Sequence, residues 1–207
     1  MTSSLLRRTG AVASVAVALS FGLAACGSDD SSDSSTTPDK SSTDSSTDAG
    51  AKTFGPGCKL IPADGAGSFN GMATAPVATA ASANPLLKTL VTAVGVAGLG
   101  DTLNSAEALT VFAPTDDAFA KIPAADLKGV LADKALLTKI LTHHVIGEKL
   151  SPDALAGTHK TLAGDDVKVD GSGEDFTVDG SAKVLCGNIQ TSNAIVYVID
   201  TVLMPQS

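Results

Sequence analysis

The sequence predicts an α+β domain, helices first and antiparallel strands after, and three observations predict it. Apolar residues recur at helical spacing between residues 84 and 144. β-Branched and aromatic residues gather in short runs, first at 108–113 and then beyond Gly147. Turn-forming Gly, Ser and Asp separate those later runs. Helices segregated from antiparallel strands define the class.

The chain has 207 residues and opens on a segment unlike the rest. Arg7 and Arg8 precede an uncharged run, residues 11 to 25 (AVASVAVALSFGLAA), which is too short to span a bilayer, since a spanning helix needs ~20 apolar residues. Its length and basic flank fit a signal peptide over residues 1–25. The run ends in Leu23-Ala24-Ala25-Cys26. Small residues allow an extended fit in a peptidase cleft, and a cysteine at the first mature position offers a thiol for diacylglyceryl transfer. The stretch resembles the lipobox of bacterial lipoproteins. Cys26 is thus the expected lipidation site, and the membrane is an expected partner through a lipid anchor on its outer face.

Residues 26–50 follow as the lipidated cysteine and a tether. From Gly27 on they are almost entirely Ser, Thr, Asp and Gly, with six aspartates. Such a segment buries too little apolar surface to offset the entropy of ordering, so disorder is expected. Thr36-Thr37-Pro38 also offers hydroxyls for O-linked sugar. Net charge is −8, and loss of two arginines with the signal peptide takes it to −10. One Tyr, no Trp and no basic cluster exclude nucleic acid as a partner.

Composition changes at residue 51 to Ala, Val, Leu and Gly, and residues 51–207 are long enough for one domain with a real core. Asn84 to Val94 reads as a helix with Asn84 as cap and Pro85 at its first position. Leu86, Leu87, Leu90, Val91 and Val94 form its stripe, and Gly95 with Gly98-Leu99-Gly100 ends it. Ala108 to Ala113 reads as a buried strand stopped by Pro114. Thr115 or Asp116 caps a short helix through Phe119. Two helices follow, Ala124 to Leu131 and Lys134 to His144, the second with Leu136, Leu137, Ile140, Leu141 and His144 on one face. Val167 and Val169 alternate against Phe176 and Val178 across a Gly/Ser turn, which predicts a hairpin. Val184 to Cys186 and Ala194 to Met204 read as strands, the last a long central one.

Cys58 and Cys186 are the cysteines left after Cys26. Outside the cell an even number implies a disulfide, and here it would join the start of the domain to its C-terminal strands. Buried reduced thiols or cysteines linked to a partner are the alternatives.

Candidate chemistry is sparse. The three histidines are His143, His144 and His159. Neighbouring helical residues diverge by ~100°, so His143 and His144 do not face one metal; one should point inward and the other out. Asp116 and Asp117 suit helix capping better than acid/base work. There is no nucleophile elbow and no phosphate loop. No catalysis, metal or cofactor is expected.

Thr110-Val111-Phe112-Ala113-Pro114-Thr115-Asp116-Asp117-Ala118-Phe119 resembles the first signature box of fasciclin (FAS1) domains. The tail from Ala194 to Pro205, with Tyr197, Ile199, Asp200 and Leu203, resembles the second. Ile140 to Ile146 stands where the family carries a Tyr-His pair; His143 replaces the Tyr and His144 matches the His. The Gly55-Pro56-Gly57-Cys58 entry is similar to that of mycobacterial surface and secreted members. The resemblance implies a β-sandwich or wedge with helices packed at one end and an adhesive role. It makes Thr110, Phe112, Pro114, Asp117, Phe119, His143, His144, Tyr197, Ile199, Asp200 and Leu203 the motif residues, with Phe112 and Phe119 in the core and Asp117 bonded to His144. A surface interaction module for a protein or envelope-polymer ligand is the first expectation. A carrier or sensor of a small apolar envelope ligand, such as a lipid, is the second.

Overall fold

The computed structural model describes residues 48–205, so the readings of a signal peptide, a lipidated Cys26 and a tether through residue 47 lie outside it. Asp48 to Gly50, read as the end of the tether, already bond into the domain. Ala49 N–H donates to Asn70 Oδ1 at 2.9 Å and Gly50 N–H to Asp48 Oδ1 at 3.0 Å.

A 3-10 turn, Pro56–Leu60, leads into α1 (Phe69–Ala73), α2 (Val77–Ala83), α3 (Lys88–Ala97) and α4 (Gly100–Ser105). The spacing predicts one helix from Asn84, but α2 ends before that residue and α3 begins only at Lys88. Asn84 Oδ1 accepts the Leu86 N–H at 3.0 Å, and this local turn replaces the expected cap. The first turn of α3 is capped from another element instead: Asp116 Oδ1 accepts the Thr89 N–H at 2.7 Å. The helix runs through Gly95 and stops at Gly98, whose left-handed φ of 73° closes it.

β1 (Leu109–Pro114), α5 (Asp116–Ala120), α6 (Ala124–Ala132) and α7 (Lys134–His143) lie where the pattern places them. The Thr115 hydroxyl caps α5 by accepting the Ala118 N–H at 3.2 Å. Asp133 caps α7 through the N–H groups of Ala135 and Leu136. Leu137, Ile140 and Leu141 are buried on α7, whereas Leu136 is 41% exposed. Its bearing on the helix lies ~100° from that of Leu137 and falls outside the covered face.

The chain continues through β2 (Val145–Ile146), α8 (Pro152–Leu155), β3 (Gly157–Lys160), β4 (Asp166–Ser172), β5 (Asp175–Val178), β6 (Ala182–Gln190) and β7 (Ala194–Ile199). The strands form one sheet in the order β2-β1-β7-β6-β5-β4-β3. β4 and β5 make the expected hairpin, with Ser172 opposite Asp175. β6 is longer than the stretch Val184 to Cys186. β7 is central but ends at Ile199, not Met204, opposite the end of β1 at Pro114. The last bond between them runs from Thr115 N–H to Ile199 O, and Thr115 then caps α5. Neighbouring strands are antiparallel except β1 and β7, which run parallel from Leu109 opposite Ala194 to Pro114 opposite Ile199. The sheet curls until its ends meet: Ile146 pairs with Thr161, and Leu162 N–H donates to Val145 O at 2.8 Å. The result is an α+β wedge, nearly closed, with its helices packed together.

Burial on both faces explains why β1 and β7 are apolar without alternation. Leu109, Val111, Ala113, Val196 and Val198 face the helices. Phe112, Ile195, Tyr197 and Ile199 face the interior of the curl with Val167, Val169 and Phe176. Phe54 joins this second core, with its ring centroid 5.7 Å from Phe176 and 6.3 Å from Tyr197. Cys58 and Cys186 form the expected disulfide. Gly55 carries the chain to it: φ is 101°, and a Cβ there would stand 2.4 Å from Leu185 O, so only glycine fits.

Candidate functional site

The two signature stretches lie side by side as β1 and β7, and their side chains tie the sheet to its loops. The Thr110 hydroxyl donates to Glu148 O at 2.7 Å and accepts the Leu150 N–H at 2.8 Å. Tyr197, fully buried 6.1 Å from the Phe112 ring, donates its hydroxyl to Leu150 O at 2.7 Å. Burial pushes the Tyr197 phenol above its ordinary pKa, with the negative charge of Asp153 acting the same way. Phe119 is on the buried face of α5, while Asp117 stands exposed on the same helix. Partial burial favours a higher pKa for Asp200, but the Lys183 N–H, the Thr201 hydroxyl and the Lys121 ammonium outweigh it and hold the carboxyl below its usual range. Lys121 Nζ lies 3.2 Å from Asp200 Oδ2.

The end of α7 departs from expectation. His143 and His144 are both buried, at 1% and 2% exposure, rather than one in and one out. They point in different directions, as helical geometry requires, but both directions are covered. His144 does not meet Asp117. Its Nε2 accepts the Leu203 N–H at 2.9 Å, so Nδ1 carries the proton and donates to Ile140 O at 2.8 Å. Burial lowers its pKa from 6.5 to about 4, and the ring is neutral at ordinary pH.

His143 points into the loops of the curled sheet. Nδ1 lies 2.8 Å from Asp165 Oδ1, between β3 and β4, and Nε2 lies 3.2 Å from Asp179 Oδ2, between β5 and β6. Ionised carboxylates only accept, so a ring with both N–H groups makes both bonds together. Burial favours a higher Asp165 pKa, but donation by the Thr161 hydroxyl and by His143 holds the carboxyl below the usual range. Asp179 also accepts the Lys168 N–H at 2.9 Å and adopts a positive φ of 47°. Sequence reasoning missed both aspartates. They look like ordinary turn residues, and only the curl of the sheet brings them to one ring.

On the other side of α7 lies a pocket of about 300 Å³. Val111, Leu141, His144 and Val145 form its floor. α2 supplies Val77 and Ala81, α3 supplies Leu90, Val91 and Val94, and Leu99 with Leu103 closes the third side. Of the motif residues, Phe112 and His144 line it. Among the described residues no group of three or more His, Cys, Asp or Glu is placed to hold a metal, and no helix is long and apolar enough to cross a membrane.

Comparison with known proteins agrees with this architecture. The fasciclin domain model matches residues 85–205. The chain is 48% identical over 166 residues to the cell surface glycolipoprotein MPB83 of Mycobacterium bovis, covering 76% of this chain and 74% of that protein. It is 46% identical over 165 residues to the immunogenic protein MPB70 of the same species, covering 76% of this chain and 84% of that one. In structure it is similar to the FAS1 domain pair of the insect cell adhesion molecule fasciclin I, with a TM-score of 0.54 at 16% identity. That match covers 65% of this chain and 52% of the pair, and so speaks for the fold alone. Signature boxes, sheet and relatives converge: the chain belongs to the fasciclin-domain family.

Proposed function

We propose that the chain is a lipid-anchored surface protein whose fasciclin domain is a non-enzymatic interaction module for an extracellular protein or an envelope polymer. The observation that carries this reading is the likeness, over 166 residues, to a protein named as a cell surface glycolipoprotein. The lipobox-like Leu23 to Cys26 and the aspartate-rich stretch after it support the same reading, as an anchor and a spacer. So does the use of the buried titratable groups. Tyr197, His143 and His144 bond to backbone or to structural carboxylates, which suits a display scaffold better than acid/base chemistry.

Cells producing the full chain should incorporate palmitate into it, and Cys26→Ala should abolish the label and release the protein. Displaying cells should also retain matrix protein or envelope polymer saturably, with the released form competing. Retention equal to that of cells lacking the chain would overturn the interaction reading.

A second reading, a carrier of a small apolar ligand, is favoured by the pocket of about 300 Å³ beneath α3 and α4.

A further inference from the structure

Space remains beneath α3 and α4 because the residues around it are small. Ala78, Ala81 and Ser82 of α2 face it, and Gly95 of α3 has nothing within 4 Å of the place a Cβ would occupy. Val91 and Val94 stay only half buried although they belong to the apolar stripe of α3. Protein interiors leave few voids larger than a water molecule, so an opening of about 300 Å³ is of ligand size.

The polar side chains in its wall are already engaged. Ser82 Oγ donates to Thr79 O at 2.7 Å, and Thr142 Oγ1 to Thr138 O at 2.8 Å. Asn104 Oδ1 accepts the Ala78 N–H at 2.9 Å, while Nδ2 donates to Thr79 Oγ1 at 3.2 Å. His144 has both ring nitrogens occupied. The interior therefore offers a ligand hydrocarbon, and a polar group buried there would lose its hydrogen bonds to water without replacement. At the rim stand Asp101 and Thr102, both exposed. The lining contains no lysine or arginine. A carboxylate or phosphate at the rim would face Asp101 with no cation in the lining to offset the repulsion; Lys134, near Gly98, lies outside it. A hydroxyl would find an acceptor.

We propose that this pocket takes one hydrocarbon chain of an uncharged lipid, with a hydroxyl-bearing end held at Asp101 and Thr102. The proposal rests on the apolar-ligand reading above and adds the charge and orientation of the ligand. The volume admits one chain rather than two, being at the small end of the ~300–1,000 Å³ range of ligand sites.

The test uses the full chain carrying Cys26→Ala, with xenon, decanol and decanoate as probes near neutral pH. The methyl resonances of Val91, Val94 and Leu103 report entry. Decanol should shift them saturably, and decanoate should bind at least about tenfold more weakly. Asp101→Lys should narrow that difference. Val94→Phe and Ala81→Phe fill the space independently, and whichever keeps a cooperative thermal transition should lose decanol binding. Decanoate binding as tightly as decanol would overturn the charge and orientation but leave the apolar-ligand reading standing. Xenon and decanol both leaving the methyl resonances unmoved would overturn both.

Discussion

His144 Nε2 accepts the backbone N–H of Leu203 at 2.9 Å, across 59 positions of sequence. The bond holds the C-terminal segment against α7, and it works only with a neutral ring. The unfolded chain binds the proton first, because its histidine has a pKa near 6.5 against about 4 in the fold. The His144 contribution is therefore complete above about pH 6.5 and lost as pH falls toward about 4. Urea unfolding should show about 2–3 kcal/mol less stability at about pH 4.5 than at about pH 7.5 from this group. In His144→Phe that part of the slope should vanish. Asp165 and Asp200 act the same way at lower pH: their pKa values are depressed in the fold, so their contribution is lost only as pH falls through the carboxylate range.

His143 bonds to the loop before β4 and to the loop after β5, which the pairing of those strands sets side by side. Removing the ring leaves the Asp165 carboxylate with only the Thr161 hydroxyl as donor and that of Asp179 with only the Lys168 N–H, and nothing between the two carboxylates. His143→Ala should cost about 1–3 kcal/mol, the range for leaving hydrogen-bonding partners unmatched. A double-mutant cycle of His143→Phe with Asp165→Asn should give a coupling of about 1–3 kcal/mol in denaturant titrations. A coupling near zero would mean that the 2.8 Å contact contributes nothing to stability.

The disulfide closes a loop of 128 positions, from the entry turn to β6. On the chain-entropy account Cys58→Ser with Cys186→Ser should lose about 4–5 kcal/mol. Thermal unfolding with and without reductant should show the same difference in the parent and none in the double variant.

Tyr197 combines packing with one bond, and two substitutions separate them. Tyr197→Phe leaves the Leu150 carbonyl without its donor and should cost about 1–2 kcal/mol. Phe112→Ala, at a site with no exposure, should cost about 3–5 kcal/mol. Calorimetry on the two variants measures both values.

Local chemistry settled much of this protein in the sequence itself. The Thr115 and Asp133 caps set the starts of α5 and α7, because a side-chain acceptor three residues before a free N–H needs no distant partner. Alternation marked β4 and β5, and the two boxes marked the family. Tertiary structure decided the rest. Asp116 capping α3 is a contact between elements, and so the helix started at Lys88 rather than Asn84. The parallel pairing of β1 with β7 depends on how the sheet curls, which no local period records. The two histidines show the division most clearly. Helical spacing required His143 and His144 to point apart, but whether each direction meets water or protein is set by what packs there. The curl supplies Asp165 and Asp179 on one side, and the returning chain supplies Leu203 on the other.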